Sequence, residues 1–305
     1  MKTNLNSNYC LAVWALMTVL SFVGCSADSD VVNEVVAPSL RPSFTVTLKA
    51  INAEGEDVTT KGDVSVASLY VFDENNDFVK EISLDKSTLL QRRAVQIDCP
   101  DAKQITVVAW GGLSADNVDV TPMSRANIIS DLQVRLKQSN GVAAPASDLF
   151  YGQIVLTPTT TKASGQELRI ARKVSSISLT TKGLLGDHSA ASAATYLYKV
   201  KKTKSAFSAN GELTGADIEY VFSASFDKNG NLVAPTTPIL PATDITVELF
   251  KDGKMLFSQK IDQNGENLSV KAGKQLTIVF DGISRNFAEI VVAPWNTVVQ
   301  YVDAN

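Results

Sequence analysis

Few side chains in this chain are placed for covalent or metal chemistry. Cys25 follows Gly24 at the end of an apolar run, and Cys99 is the only cysteine after it, so an internal disulfide requires Cys25 to stay unmodified. The sole histidine, His188, lies in the Gly-flanked polar stretch 183–189. A Ser-His-Asp or Cys-His site would have to be built on it, and no metal site can use two histidines. A surface-loop role is expected for it. Cys99 precedes Pro100 at a strand end without a patterned partner, which points to a structural thiol. Asp73, Asn75 and Asp77 imitate the opening of a calcium loop, but Phe78 stands where that loop needs Gly and no Glu closes it. A hairpin turn accounts for them better. No Gly-rich phosphate loop occurs, no pair of carboxylates stands out for glycoside hydrolysis, and the expectation is a protein without cofactor or enzymatic activity.

The elements around Cys25 give its thiol a different chemistry. Lys2, a nearly charge-free run over 10–23, Gly24 and the cysteine follow one another in the order of a cleaved secretory signal, residues 1–24. The run falls short of the roughly twenty residues of a membrane-spanning helix. A thiol at that junction accepts diacylation, and two or three acyl chains, at about 0.8 kcal/mol per buried methylene, hold what one chain cannot. Leu20-Ser21-Phe22-Val23-Gly24-Cys25 resembles the lipobox of Bacteroidetes lipoproteins, with Phe22 departing from the stricter aliphatic pattern. Asp28 and Asp30 resemble the signals that send such lipoproteins to the outer face of the cell. Lipidation at Cys25 and a surface-exposed place on the outer membrane are therefore expected.

Residues 25–42 read as a lipidated tether: acidic, small and unpatterned up to Pro42. From Ser43 the period becomes two, with Phe44, Val46, Leu48 and Ala50 alternating with polar residues. Strands are expected over 64–72 and 78–84, joined by the turn 73–77, then over 94–97, 104–110, 150–156 and 168–181, the last with a bend at Arg172-Lys173. Residues 124–136 suggest a short helix. Further strands are read at 195–200, 219–226, 245–250, 255–261, 275–280 and 288–293, with Asn229-Gly230 and Asp252-Gly253 marking turns. The glycines at 183 and 186 suggest a boundary between domains 43–184 and 185–305. Net charge is only −4, and the one basic group, Lys199, Lys201, Lys202 and Lys204, reads as a solvated face, so nucleic acid is not an expected partner.

Four motifs in order, 71–78, 107–112, 148–152 and 172–177 before Gly183-Leu184, resemble the N-terminal domain of Bacteroidetes fimbrillin-type fimbrial proteins, closest to their lipidated anchor and minor subunits, the FimB-like branch. The resemblance implies an all-β fold of two tandem transthyretin-like Greek-key β-sandwich domains. It further implies assembly with other fimbrial subunits by donation of a strand, attachment to the outer membrane through the N-terminal lipid, and adhesion to host or bacterial surface ligands. In stalk subunits of the family an arginine-specific protease opens the groove. Arg41 is the arginine placed for such processing, but Pro42 follows it and the Phe44 strand would survive the cut, which favours an uncleaved anchor or accessory subunit. The donor candidate lies near the C-terminus, with Thr297, Val299 and Tyr301 facing one way and Val298, Gln300 and Val302 the other. A glycan-binding surface lipoprotein and a protease-matured stalk or tip subunit are the alternative readings.

Overall fold

In a computed structural model of the chain, residues 43–158, 166–184, 194–262, 264–284 and 286–295 are described, and the fold they make is all-β. The alternation at its start becomes strand Phe44–Ile51, whose Phe44, Val46, Leu48 and Ala50 are all buried while the residues between them are partly exposed. Seven strands form the first sheet in the order Phe78–Leu84, Ala67–Phe72, Ile105–Gly111, Phe150–Leu156, Gln166–Arg172, Phe44–Ile51, Val95–Ile97. Phe44–Ile51 runs parallel to Gln166–Arg172, and the remaining pairs are antiparallel.

The second sheet has thirteen strands among the described residues. Its main path runs Lys254–Gln259, Thr246–Lys251, Tyr196–Phe207, Leu213–Phe226, Leu232–Val233, Ser175–Lys182, Lys274–Asp281, Asn286–Pro294. Ser175–Lys182 and Lys274–Asp281 are parallel neighbours. Having already given Val118–Val120, Val134–Leu136, Gln138–Ser139 and Val142–Ala143 to this sheet, the chain returns to it just after Arg172, and the bend expected at Arg172-Lys173 is a passage from one sheet to the other. Within the second sheet Ser175–Lys182 finds its partners in later strands, Leu232–Val233, Thr237–Ile239 and Lys274–Asp281.

Alternation also explains why Ile105–Gly111 is buried along its whole length. Val107 and Ala109, with Leu69 and Val71 of the neighbouring strand, face a core completed by Phe44, Ile97, Phe150, Leu168 and Ile170. Val108 and Trp110, with Tyr70 and Phe72, face the opposite way into a second core shared with Tyr198, Phe207, Tyr220 and Phe280. One strand serves two cores, so its apolar run is continuous.

Residues 124–136 depart from the expected helix. They hold a single 3-10 turn, Ile129–Asp131, and then strand Val134–Leu136, which pairs with Val118–Val120 and with Tyr196–Phe207. The reason is local: Leu132, Val134 and Leu136 are buried at every second position, a period that a helix cannot present to one core. The one α-helix among the described residues, Lys86–Leu90, begins at Asp85, whose Oδ1 accepts the Thr88 N–H at 2.8 Å.

A single turn design recurs five times. At 52–56, 73–77, 208–212, 227–231 and 262–266 the first residue donates its N–H to the carbonyl of the fifth and accepts at its own carbonyl from the fourth. The fourth residue lies in the left-handed region each time: Gly55, Asn76, Gly211, Gly230 and Gly265. In four of the five, an Asn or Asp Oδ1 accepts the N–H groups of the third and fifth residues. This commits the Asp73 carboxylate to its own backbone, so the calcium-like spacing is a turn. Asp252 and Gly253, both at positive φ, make the two-residue hairpin expected there.

The two sheets meet at Arg172. Its side chain is 4% exposed, with Nε 2.7 Å and Nη2 2.9 Å from the two Asp148 carboxylate oxygens and Nη2 3.0 Å from Asp63 Oδ2. The Phe150 and Trp295 rings flank the guanidinium, each centroid 4.8 Å from Cζ. Gly112, at φ +75°, lets the backbone pass Asp148 where a Cβ would lie 1.9 Å from its carbonyl oxygen. Beside this joint Trp110 of the first sheet packs on Phe207 of the second at 5.5 Å.

Replacing Arg172 by Ala strands two carboxylates and uncaps two rings. We expect a loss of about 3–5 kcal/mol in urea unfolding, largely recovered when Asp148 is also replaced by Leu; a loss under about 1 kcal/mol would contradict this role. A pH prediction follows from the exposed carboxylates. Lys274 holds Glu54, the Thr88 N–H holds Asp85, Arg169 holds Glu167 and the Ser284 hydroxyl holds Asp281 below their ordinary values. A depressed carboxyl stabilises the fold above its unfolded pKa and loses that contribution as pH falls through its folded one. Burial raises Asp148, against the pull of Arg172, so that group works in the opposite direction. Asp57 and Asp227 are lowered too, desolvation being outweighed there by hydrogen bonds to their carboxylates. With six groups against one, Tm should drop between about pH 5 and pH 3, and a flat or rising Tm in calorimetry would refute the balance.

Candidate functional site

Cys25, Arg41, His188 and the segment Thr297, Val298, Val299, Gln300, Tyr301 and Val302 lie outside the described residues. The structure gives instead the elements that adjoin them. Three residues beyond Arg41, strand Phe44–Ile51 begins and is held on both sides, by Gln166–Arg172 and by Val95–Ile97. Ahead of Thr297, Trp295 is fixed over Arg172.

The remaining candidates are placed by their surroundings. Cys99 is buried, and that burial pushes its thiol up, with Lys80 offsetting only part of the effect, so the nucleophilic thiolate is disfavoured. The lysine group lies on strand Tyr196–Phe207 and is neutralised by ion pairs: Lys199 to Glu219 at 3.2 Å, and Lys201 to Glu248, Lys202 to Asp244 and Lys204 to Asp217 at 2.8 Å each. It is a solvated, charge-balanced strand face.

An open sheet edge is the feature with binding capacity, because its unpaired N–H and C=O groups can template another strand. Three of the four edges are blunted. Phe78–Leu84 carries Lys80 and Glu81 and a register shift against its partner. Val95–Ile97 is three residues long. Lys254–Gln259 opens with Lys254 and pairs through a bulge. The fourth, Asn286–Pro294, is long and among the described residues its strand partner is Lys274–Asp281. Along it Glu289 is the single charge, followed by Ile290, Val291 and Val292, and Val292 is 56% exposed. Ile283, in the preceding turn, is 73% exposed. The sequence reading found this strand but not its edge position, since an apolar run reports burial and β-propensity without saying how many neighbours the strand has.

Comparisons with known proteins agree with this architecture. Residues 38–301 match the sequence model of the fimbrillin-A associated anchor proteins Mfa1 and Mfa2. The major fimbrium anchoring subunit FimB of Porphyromonas gingivalis strain ATCC 33277 is 24% identical over 309 residues, covering 97% of this chain and 98% of FimB. Among solved structures, a Bacteroides thetaiotaomicron protein provisionally described as polysaccharide-binding superposes with a TM-score of 0.67 at 19% identity, covering 85% of this chain and 98% of the other. The fimbrial anchor protein Mfa2 from Porphyromonas gingivalis gives 0.61 at 13% identity, covering 83% of this chain and 97% of Mfa2. With the match extending over most of its length, the chain belongs to the family of fimbrillin-A associated anchor proteins Mfa1 and Mfa2.

Proposed function

We propose that this protein is a fimbrial anchor or accessory subunit, lipidated at Cys25, held on the outer face of the outer membrane and joined to other fimbrial subunits by strand addition. The observation that carries the reading is the family match over 38–301, which begins within the tether and leaves the signal and Cys25 ahead of it. Subunits of such a protein meet other subunits through structure, without catalysis. Its two tandem sandwiches of transthyretin type serve as spacers, and the segment containing Thr297 to Val302 is the donor strand on offer.

The state of the first strand supports retention of the N-terminus. Phe44, Val46, Leu48 and Ala50 are each no more than 4% exposed, and the strand is paired on both sides. Cutting after Arg41 leaves that strand seated, so processing there would release the lipid without opening a groove. Strand addition has a physically suitable acceptor in residues 289–292, where one charge guards an otherwise apolar edge.

Two measurements test this. Mass spectrometry of the protein isolated from its native membrane should find a diacylated or triacylated Cys25 on the otherwise intact chain; a lipid-free chain starting at Pro42 would overturn the anchor reading. Val292→Lys places a charge on the exposed edge without touching either core. It should leave Tm within about 2 °C of the wild type while reducing co-purification of fimbrial subunits at least about fivefold, and unchanged co-purification would remove this edge from the assembly.

A further inference from the structure

Two of the five recurrent turns face a common cleft. One is the 73–77 turn of the first sheet, through Asn76, and the other is the 208–212 turn, which carries strand Tyr196–Phe207 into Leu213–Phe226. Between them lies an open cavity of about 550 Å³, completed by Ile129, Ser130 and Gln153 and by Leu213 and Thr214.

Both walls are held before any ligand arrives. Asn76 accepts the Ile129 N–H at 2.9 Å, and the Asn127 carbonyl accepts from Phe78 at 2.9 Å, which locks the Ile129 loop to the first turn. On the other side Gly211, at φ +71°, lies flat on the Tyr151 ring, where a Cβ would come within 2.5 Å of a ring carbon. Tyr151 itself packs on Trp110 at 5.0 Å and donates its hydroxyl to Gln153 Oε1 at 2.9 Å. Walls of this kind spare a ligand the entropy of ordering them.

The lining chemistry is specific. Asn76, Gln153, Asn210, Ser130, Ser208 and Thr214 supply amides and hydroxyls, Glu212 the one charge, and Ile129 and Leu213 apolar surface. No lysine or arginine lines the cleft, and Lys173, over the Tyr151 ring outside it, is engaged with Glu212, so an anionic ligand finds no unengaged cation in the lining. Gln153 uses its oxygen on Tyr151 and Asn210 its oxygen on Ser208, which leaves both amide N–H₂ groups for a ligand. The side chains of Asn76 and Glu212 have no protein hydrogen-bond partner among the described residues. Amide donors beside carboxylate and amide acceptors match the paired hydroxyls of a neutral sugar, each of which gives and takes a hydrogen bond, while its C–H face suits Ile129 and Leu213.

We propose that the cleft between the Asn76 and Ser208–Glu212 turns binds an uncharged oligosaccharide, giving the subunit a lectin-like site separate from its assembly edge. The inference rests on the cleft alone and stands or falls independently of Cys25 lipidation and of strand addition.

The test uses the full-length chain in detergent micelles, on an array carrying neutral, sialylated and sulfated glycans, followed by calorimetric titration with maltohexaose, mannohexaose and xylohexaose. Neutral glycans should bind in preference to acidic ones. Gln153→Ala and Asn210→Ala, both exposed positions, should each weaken the titrated affinity at least about tenfold with Tm unchanged. Asn229→Ala should leave it unaltered, because that residue sits in the same kind of turn at the far end of strand Leu213–Phe226, about 45 Å along it. Neutral glycans failing to bind at roughly millimolar concentration, a preference for acidic glycans, or full affinity in both cleft variants would each overturn the proposal. So would a loss of affinity in Asn229→Ala as large as in the two cleft variants.

Discussion

A buried guanidinium is costly unless its charge is paired, and Arg172 is paired through Nε and Nη2 with two carboxylates and flanked by two rings. Asp148 grips it bidentately from ahead of strand Phe150–Leu156, Asp63 from ahead of Ala67–Phe72, and the rings of Phe150 and Trp295 close its two faces. Segments far apart in sequence, around 63, 112, 148, 172 and 295, are thereby required at one point. Only two residues separate Arg172 from Ser175–Lys182 of the second sheet. The ion pair therefore fixes where the chain crosses from Gln166–Arg172 of one sheet to Ser175–Lys182 of the other. A lysine could not replace it, lacking the planar fork that satisfies two carboxylates and two ring faces together.

Much of this was legible in the sequence, and the parts that were not share a cause. Strand Phe44–Ile51, the hairpins at Asp73 and Asp252 and the central place of Ile105–Gly111 are local facts, written in alternation and in residues that tolerate positive φ. Partnership is not local. Nothing in Ser175–Lys182 announces that its neighbours are Lys274–Asp281 and Thr237–Ile239. Residues 124–136 misled for a related reason: the segment is too short and irregular for its period to decide, and it is the strand Tyr196–Phe207 that pairs with Val134–Leu136. The cleft was invisible because Asn76 and Asn210 each look like ordinary turn residues. Only the topology sets the two turns face to face.

Placing the two binding features apart has a structural logic. The free edge at 289–292 offers backbone groups and aliphatic side chains, chemistry suited to a partner strand, while the cleft offers side-chain amides and hydroxyls and no free backbone edge. Each would serve the other's ligand poorly. The cleft belongs to the hairpin tip held by Tyr151 and Trp110, whereas the edge belongs to the strand that ends on Arg172, so neither needs to move for the other to be filled.

The same arrangement decides how a pull on the molecule would be carried. In the proposed anchor a load enters through the tether at Phe44 and leaves through other subunits. Phe44–Ile51 is gripped along its length by a parallel neighbour and at its start by an antiparallel one, so pulling its N-terminal end shears several hydrogen bonds at once instead of unzipping them singly. That parallel neighbour ends at Arg172, which passes the load to Asp148 and Asp63 and, through Lys173 and Val174, to Ser175–Lys182 of the second sheet. Trp295, stacked on the same guanidinium, ties Asn286–Pro294 to the joint. A chain tethered and recruited as proposed would thus have a path of paired strands and one charged joint between its two ends.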